Sequence, residues 1–213
     1  SKTAELCKLT ENSYRDVNID FANELSLISD NLGVDVWNLI NFANHHPRVN
    51  ILQPGPGVGG HCIAVDPWFI VDSSPDEAKL IRTARLVNDS KPKYVLEQVK
   101  KAKKLCQKNE HNINIACLGI AFKSDIDDLR ESPALKIAAS ISLTKLRNLY
   151  IVEPNISELP KNLKNTNAIL TGLEDGISES DIIIVLVDHK EFMSIDKSLF
   201  ENKIVIDTRG ITN

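Results

Sequence analysis

No two cysteines in this sequence stand in a CxxC pair, and none shares a metal-ligand spacing with the five histidines. The four thiols, Cys7, Cys62, Cys106 and Cys117, are therefore expected to be reduced, with neither a disulfide framework nor a metal centre. Long apolar runs are missing as well. The longest is six residues, Ile182 to Val187 between two aspartates, far below the ~20 that a membrane-spanning helix requires. No charged, apolar, small-residue succession at the start suggests a secretory signal. Basic charge is not in excess either: 25 lysines and arginines against 29 acidic residues give a net charge of -4, which excludes attraction to nucleic acid by bulk charge. The expectation is a cytoplasmic protein with no membrane or nucleic-acid partner. The chain opens on Ser1 rather than methionine, so it reads as a piece of a longer protein.

What is present suits a folded core: 42% of residues are hydrophobic and 25% charged, enough for one large domain or two modest ones. Leu6, Leu9, Val17, Phe21, Leu25 and Ile28 recur at helical spacing and predict a long amphipathic helix over 3–32, stopped by Gly33. A second helix follows over 36–43 and ends before Pro47. Ser74-Pro75-Asp76-Glu77 has the form of a capping box and predicts a helix from there to about Lys108, kinked or broken at Pro92. From Asn112 the texture changes. Apolar strands are predicted over 113–122, 149–154, 181–188 and 203–207, with a helix opening at Ser132-Pro133. Strands separated by helices imply a parallel sheet with right-handed crossovers. The fold class is thus α + α/β, an all-helical domain over 1–108 followed by a parallel-sheet α/β domain over 109–213.

The conformationally special residues are concentrated in one place. Four of the nine glycines and three of the nine prolines fall within Pro54 to Pro67, around Cys62. Glycines at 55, 57, 59 and 60 allow positive φ and close approach of a ligand, and they free backbone N–H groups. A thiol at the end of such a loop can attack an electrophilic carbon while N–H groups steady the oxyanion; the plain alternative is a surface loop with a structural cysteine. The GxGxGG pattern is not a dinucleotide fingerprint, because no suitable strand precedes it. Lys8 and Asn12 lie four apart on one helix face and can both donate toward a developing negative charge, or can be a solvated pair. Asp66 either holds a water or a lysine, or caps the segment after Pro67. The polar loop Phe122 to Pro133 lies where α/β sheets bind ligands, beyond the carboxyl end of a strand. There Lys123 and Arg130 can meet phosphate or carboxylate, or can join salt bridges with Asp125, Asp127, Asp128 and Glu131.

Taken together, Ala4-Glu5, Lys8, Asn12, Asn23-Glu24, Gly57-Val-Gly-Gly-His-Cys62 with Asp66-Pro67, and Leu118-Gly-Ile-Ala-Phe-Lys123 with Asp128-Leu-Arg-Glu-Ser-Pro133 resemble the UDP-glucose/GDP-mannose dehydrogenase family in order and spacing. The stretches Thr10–Asn18, His46–Val71 and Leu186–His189 resemble most its members that oxidise UDP-N-acetyl-D-mannosamine. The resemblance implies oxidation of a nucleotide-sugar C6 alcohol to a carboxylate with two NAD⁺, through a thioester on Cys62. It implies that Lys8 and Asn12 support the oxyanion and that Asp66 orders Lys8 and the hydrolytic water. Lys123 would bind the UDP-sugar, with Gly59, Gly60 and Arg130 beside the substrate, and Arg48 would reach the substrate of a neighbouring subunit. The helical domain would form a homodimer and the Rossmann-like α/β domain would hold the UDP moiety. The family's N-terminal NAD domain is not matched in these residues, so cofactor binding would fall mainly to that domain. The same chemistry on another UDP-sugar, or a non-catalytic UDP-sugar-binding or dimerisation module, stays open.

Overall fold

The computed structural model describes residues 1–212. By internal contacts the chain divides into two compact units, Ser1–Lys91 and the residues from Pro92 onward.

In the first unit α1 spans Lys2–Leu32, α2 Val36–Ala43 and α3 Asp66–Ser73, and α4, Lys79–Leu105, begins there. The Ser1 side chain caps α1, and Gly33 ends it in the left-handed conformation at φ 67°. Asp35 caps α2 by accepting from the N–H groups of Trp37 and Asn38. The expected capping box at Ser74 is not one. Ser74 N–H donates to the Ile70 carbonyl at 3.0 Å and closes α3, Pro75–Glu77 form a turn, and α4 starts only at Lys79. The same Ser-Pro-Asp-Glu chemistry that opens helices also suits a turn, and the preceding helix claimed the serine. Nor does α4 break at Pro92: it runs on to Leu105, close to the expected end near Lys108. Packing on both sides of the proline holds it, with Asn88 and Lys91 buried before it and Val95 and Val99 after.

The apolar stripe of α1 does not form the interior of its unit. Leu6, Phe21 and Ile28 are about half exposed, while Asn12, Asp16, Asp20 and Asn23 are buried. The inward face of this helix is polar.

The second unit is a five-stranded parallel sheet in the order β3-β2-β1-β4-β5. Its strands are β1 Asn114–Leu118, β2 Asn148–Val152, β3 Ala168–Leu170, β4 Ile182–Val185 and β5 Ile204–Asp207. The helices are α5 Pro133–Ser142, α6 Leu173–Ser178 and α7 Lys190–Met193. Four strands agree with the sequence reading; the three-residue edge strand β3 was not foreseen. Alternate residues of the central strands face opposite layers. Ile115, Cys117, Ile182 and Ile184 pack with Val95, Val99, Ile137 and Ile141, whereas Ala116, Leu118, Ile183 and Val185 pack with Ile177 and Phe192. Burial pushes the Cys117 thiol up to about 12, so this cysteine is inert core. The strand order reverses direction at β1 and β4, which places the crevice for a ligand at their carboxyl ends. Gly119 closes β1 there at φ 85°, and a Cβ on it would come within 2.4 Å of Val187 Cβ.

Candidate functional site

Cys62 is exposed and sits at the head of the turn that leads into α3, its carbonyl accepting from Val65 N–H at 3.1 Å and Asp66 N–H at 2.8 Å. That turn directs Asp66 against α1, where its carboxylate accepts from buried Asn12 Nδ2 at 2.5 Å. Asp66 is thereby linked to Cys62 through the backbone and to Asn12 through its carboxylate. Lys8, one turn earlier on α1, is exposed and pairs loosely with Glu11 at 3.4 Å rather than with Asp66. Arg48 stands exposed in the turn after α2, where its backbone N–H donates to His46 Nδ1 at 3.3 Å.

The glycine loop is held from inside. Asn23 Oδ1 accepts from Gly55 N–H at 2.8 Å, and Asn88 Oδ1 accepts from Val58 N–H at 2.9 Å and from Asn23 Nδ2 at 3.2 Å. Both asparagines are buried, as are Gly59 and Gly60. Gly57 and Gly60 take φ values of 131° and 83°, a backbone that only glycine adopts without strain. Sequence reasoning noticed Asn23 only as part of a motif and missed Asn88, which carries no signal beyond being an amide on an amphipathic helix.

Beneath this face lies a charged cluster that was also unforeseen. Arg85 pairs with Asp16 at 2.8 Å and Asp89 at 2.7 Å, with Arg85 and Asp16 almost wholly buried. Burial, reinforced by the neighbouring Asp16 charge, pushes the Asp20 carboxyl up to about 9, so it is protonated at neutral pH.

In the second unit the loop after β1 spans the switch point. Lys123 is exposed and, among the described residues, makes no ion pair. Arg130 instead forks onto Asp128, two residues back, with Nη2 at 2.6 Å and Nε at 3.0 Å from both oxygens. Glu131 likewise pairs with Lys136 at 2.5 Å. Four further residues, Glu153, Asp188, His189 and Arg209, converge on this end of the sheet, each in the few residues that follow a strand. Glu153 is fully buried, and its Oε2 accepts from the N–H groups of Ile120 at 2.8 Å and Ala121 at 3.0 Å and from His189 Nε2 at 3.1 Å. Burial alone would raise this carboxyl, but His189 and the two amides outweigh it and hold it below the usual range. Asp188 accepts from Ser124 Oγ at 2.6 Å and from Arg209 at 2.5 Å. Burial again opposes ionisation, and Arg209 and Ser124 overcome it. The signal available in the sequence was position: a polar residue immediately past a buried apolar strand lies at the ligand end of such a sheet.

Two family models match this chain: the central domain of the UDP-glucose/GDP-mannose dehydrogenase family over residues 2–90, and the UDP binding domain of the same family over residues 116–213. An NDP-N-acetyl-D-galactosaminuronic acid dehydrogenase of Ralstonia solanacearum is 56% identical over 211 residues, covering 99% of this chain and 48% of that protein. A UDP-N-acetyl-D-mannosamine dehydrogenase of Escherichia coli K12 is 54% identical over 215 residues, covering 99% of this chain and 51% of the other. Among solved structures, a UDP-D-ManNAc dehydrogenase from Pyrococcus horikoshii superposes with a TM-score of 0.86 at 35% identity, over 100% of this chain and 49% of that one. The chain therefore spans about half the length of the relatives it matches. With the thiol loop in one unit and the crevice in the other, the chain belongs to the UDP-glucose/GDP-mannose dehydrogenase family and carries its central domain followed by its UDP binding domain.

Proposed function

We propose that this chain is part of an NAD-dependent 6-dehydrogenase that oxidises UDP-N-acetyl-D-mannosamine to UDP-N-acetyl-D-mannosaminuronate in the cytoplasm. The observation that carries the proposal is the grouping of exposed Cys62, Asp66 and Asn12 at the start of α3. Its support comes from the likeness to UDP-N-acetyl-D-mannosamine dehydrogenases. Once the C6 alcohol has given a hydride to a first NAD⁺ to leave an aldehyde, Cys62 Sγ would add to its carbonyl carbon, with Asn12 and Lys8 as the groups to support the charge on the oxygen. Transfer of a hydride from that adduct to a second NAD⁺ would leave a thioester on Cys62, and Asp66, which holds Asn12, would serve the water that hydrolyses it to release the carboxylate and return the thiol. Lys123 and the backbone of Gly59 and Gly60 bind the substrate. Arg130 is a weaker candidate for contact, since freeing it requires breaking its fork onto Asp128.

The dinucleotide does not fit the sheet described here. Its turn after β1 has the single glycine 119, packed against Val187, and the amides of Ile120 and Ala121 that would face a pyrophosphate are taken by Glu153. This chain's part is covalent chemistry and UDP binding, with NAD held by another part of the parent protein. Pairing of two copies through the exposed stripe of α1 would carry Arg48 to a neighbour's substrate.

The test is NADH formation by the complete parent enzyme. Two NADH per UDP-N-acetylmannosamine, abolished by Cys62→Ala, establish the reading; two per UDP-glucose would keep the chemistry and change the substrate. The Ralstonia relative favours a galacto-configured sugar as the second reading, so UDP-N-acetylgalactosamine belongs in the same assay. No NADH with any sugar would leave a binding module.

A further inference from the structure

We propose that His189 is a positioning residue for the substrate: its Nδ1 latches the backbone of Asp125 and thereby sets where Lys123 stands in the crevice. This rests on the UDP-binding reading above.

The protonation pattern is dictated by the partners. His189 is 1% exposed, and its Nδ1 lies 2.9 Å from the N–H of Asp125 and 3.3 Å from Asn155 Nδ2, both donors. Nδ1 must therefore be the bare nitrogen, which leaves the ring proton on Nε2 to donate to Glu153 Oε2 at 3.1 Å. Glu153 is anchored in turn by two backbone amides, and the Phe192 ring meets the imidazole edge-on at 5.1 Å, so the ring has a single orientation.

What the ring holds needs holding. Asp125 has a φ of 60°, a left-handed backbone uncommon for a residue with a Cβ although aspartate adopts it more readily than most. Its carboxylate accepts from Lys190 N–H at 2.9 Å, and Ser124 Oγ donates to Asp188 at 2.6 Å. Three consecutive residues after β4 thus staple two consecutive residues of the loop, and Lys123 is the next one along. The staples from Asp188 and Lys190 are partly exposed, whereas the His189 staple comes from a ring that is buried and oriented.

Two substitutions separate the latch from simple support of the fold. His189→Asn places an amide oxygen where Nδ1 was, keeping an acceptor for Asp125 and abandoning Glu153. His189→Gln places an amide nitrogen near Nε2, keeping the donor to Glu153 and abandoning Asp125. UDP is titrated calorimetrically into the 213-residue chain and its variants, with amide exchange of Asp125 and Tm measured alongside. The expected result is UDP binding at least about tenfold weaker in His189→Gln, the scale of one lost hydrogen bond, and within about threefold of the parent in His189→Asn. Asp125 exchange should rise only in the glutamine variant. Tm should order the other way, because His189→Asn leaves the buried Glu153 short of a partner. Equal weakening in the two variants, affinity that simply tracks Tm, or unchanged Asp125 exchange in His189→Gln overturns the latch. If the unaltered chain binds no UDP, the nucleotide reading falls and this proposal with it; UDP binding insensitive to His189→Gln sinks the proposal alone.

Discussion

Asn23 and Asn88, 65 positions apart, bond to each other at 3.2 Å and between them accept two N–H groups of the glycine loop. Both donors to Asn88 use the same oxygen, Oδ1. Replacing it with Asn88→Leu strands Val58 N–H and the Asn23 amide in a buried setting, at about 1–3 kcal/mol of stability for such a loss. Asn88→Asp keeps an oxygen for both donors and should retain most of that stability. The loop is the path to Cys62, so the rate of iodoacetamide labelling at Cys62 should change in Asn88→Leu and stay near the parent value in Asn88→Asp. Identical labelling in both variants would detach the clamp from the thiol.

The bond between Asn12 and Asp66 predicts that the two act together in the complete enzyme. Asp66→Asn and Asn12→Ala should each lower kcat by about a hundredfold or more, the scale of losing a positioned acid–base group. The double substitution should fall well short of the product of the two losses. Multiplicative losses would mean that the residues serve separate steps.

Asp20 gives a pH dependence whose direction is fixed. Its folded carboxyl titrates near 9 rather than at the ordinary 3.8, so between those limits the folded state holds a proton that the unfolded state has lost. The stability this group contributes is full below the ordinary value and is lost as pH rises toward 9. Asp20→Asn removes that slope, and its Tm should exceed the parent's by about 5 °C at pH 8 with a smaller gain at pH 5. A gain that is equal at both pH values would place the titration elsewhere.

The 213-residue chain by itself should reduce no NAD⁺ with any nucleotide sugar, because Glu153 occupies the amides that would cradle a pyrophosphate on its only sheet among the described residues. NADH absorbance is the readout, and a signal above background would require a dinucleotide site within these residues.

The sheet unit was largely legible because parallel strands buried on both faces write themselves as apolar runs, and Ser132-Pro133 marked α5 in advance. Edge strand β3 escaped because three residues carry no period. In the helical unit the motifs located Cys62, Asp66 and Asn12, but not Arg85, Asn88 or Asp20. Buried polar groups gain their meaning from partners 65 or 69 positions away, as Asn23 with Asn88 and Asp16 with Arg85 do, and spacing within one helix does not reveal them. The capping box at Ser74 misled for a related reason: the serine's backbone already belonged to α3.

α1 turns its polar side chains inward and leaves Leu6, Phe21 and Ile28 about half exposed, so the proposed pairing of two copies through this face would make the first unit's resistance to heat a matter of mass action. A helix that met its apolar complement on a second copy would tie the free energy of folding to the amount of protein present. Melting of this unit should therefore move upward by a few degrees per tenfold rise in concentration, while the sheet unit, whose core is complete within one chain, melts at one temperature throughout. Phe21→Glu would flatten that dependence.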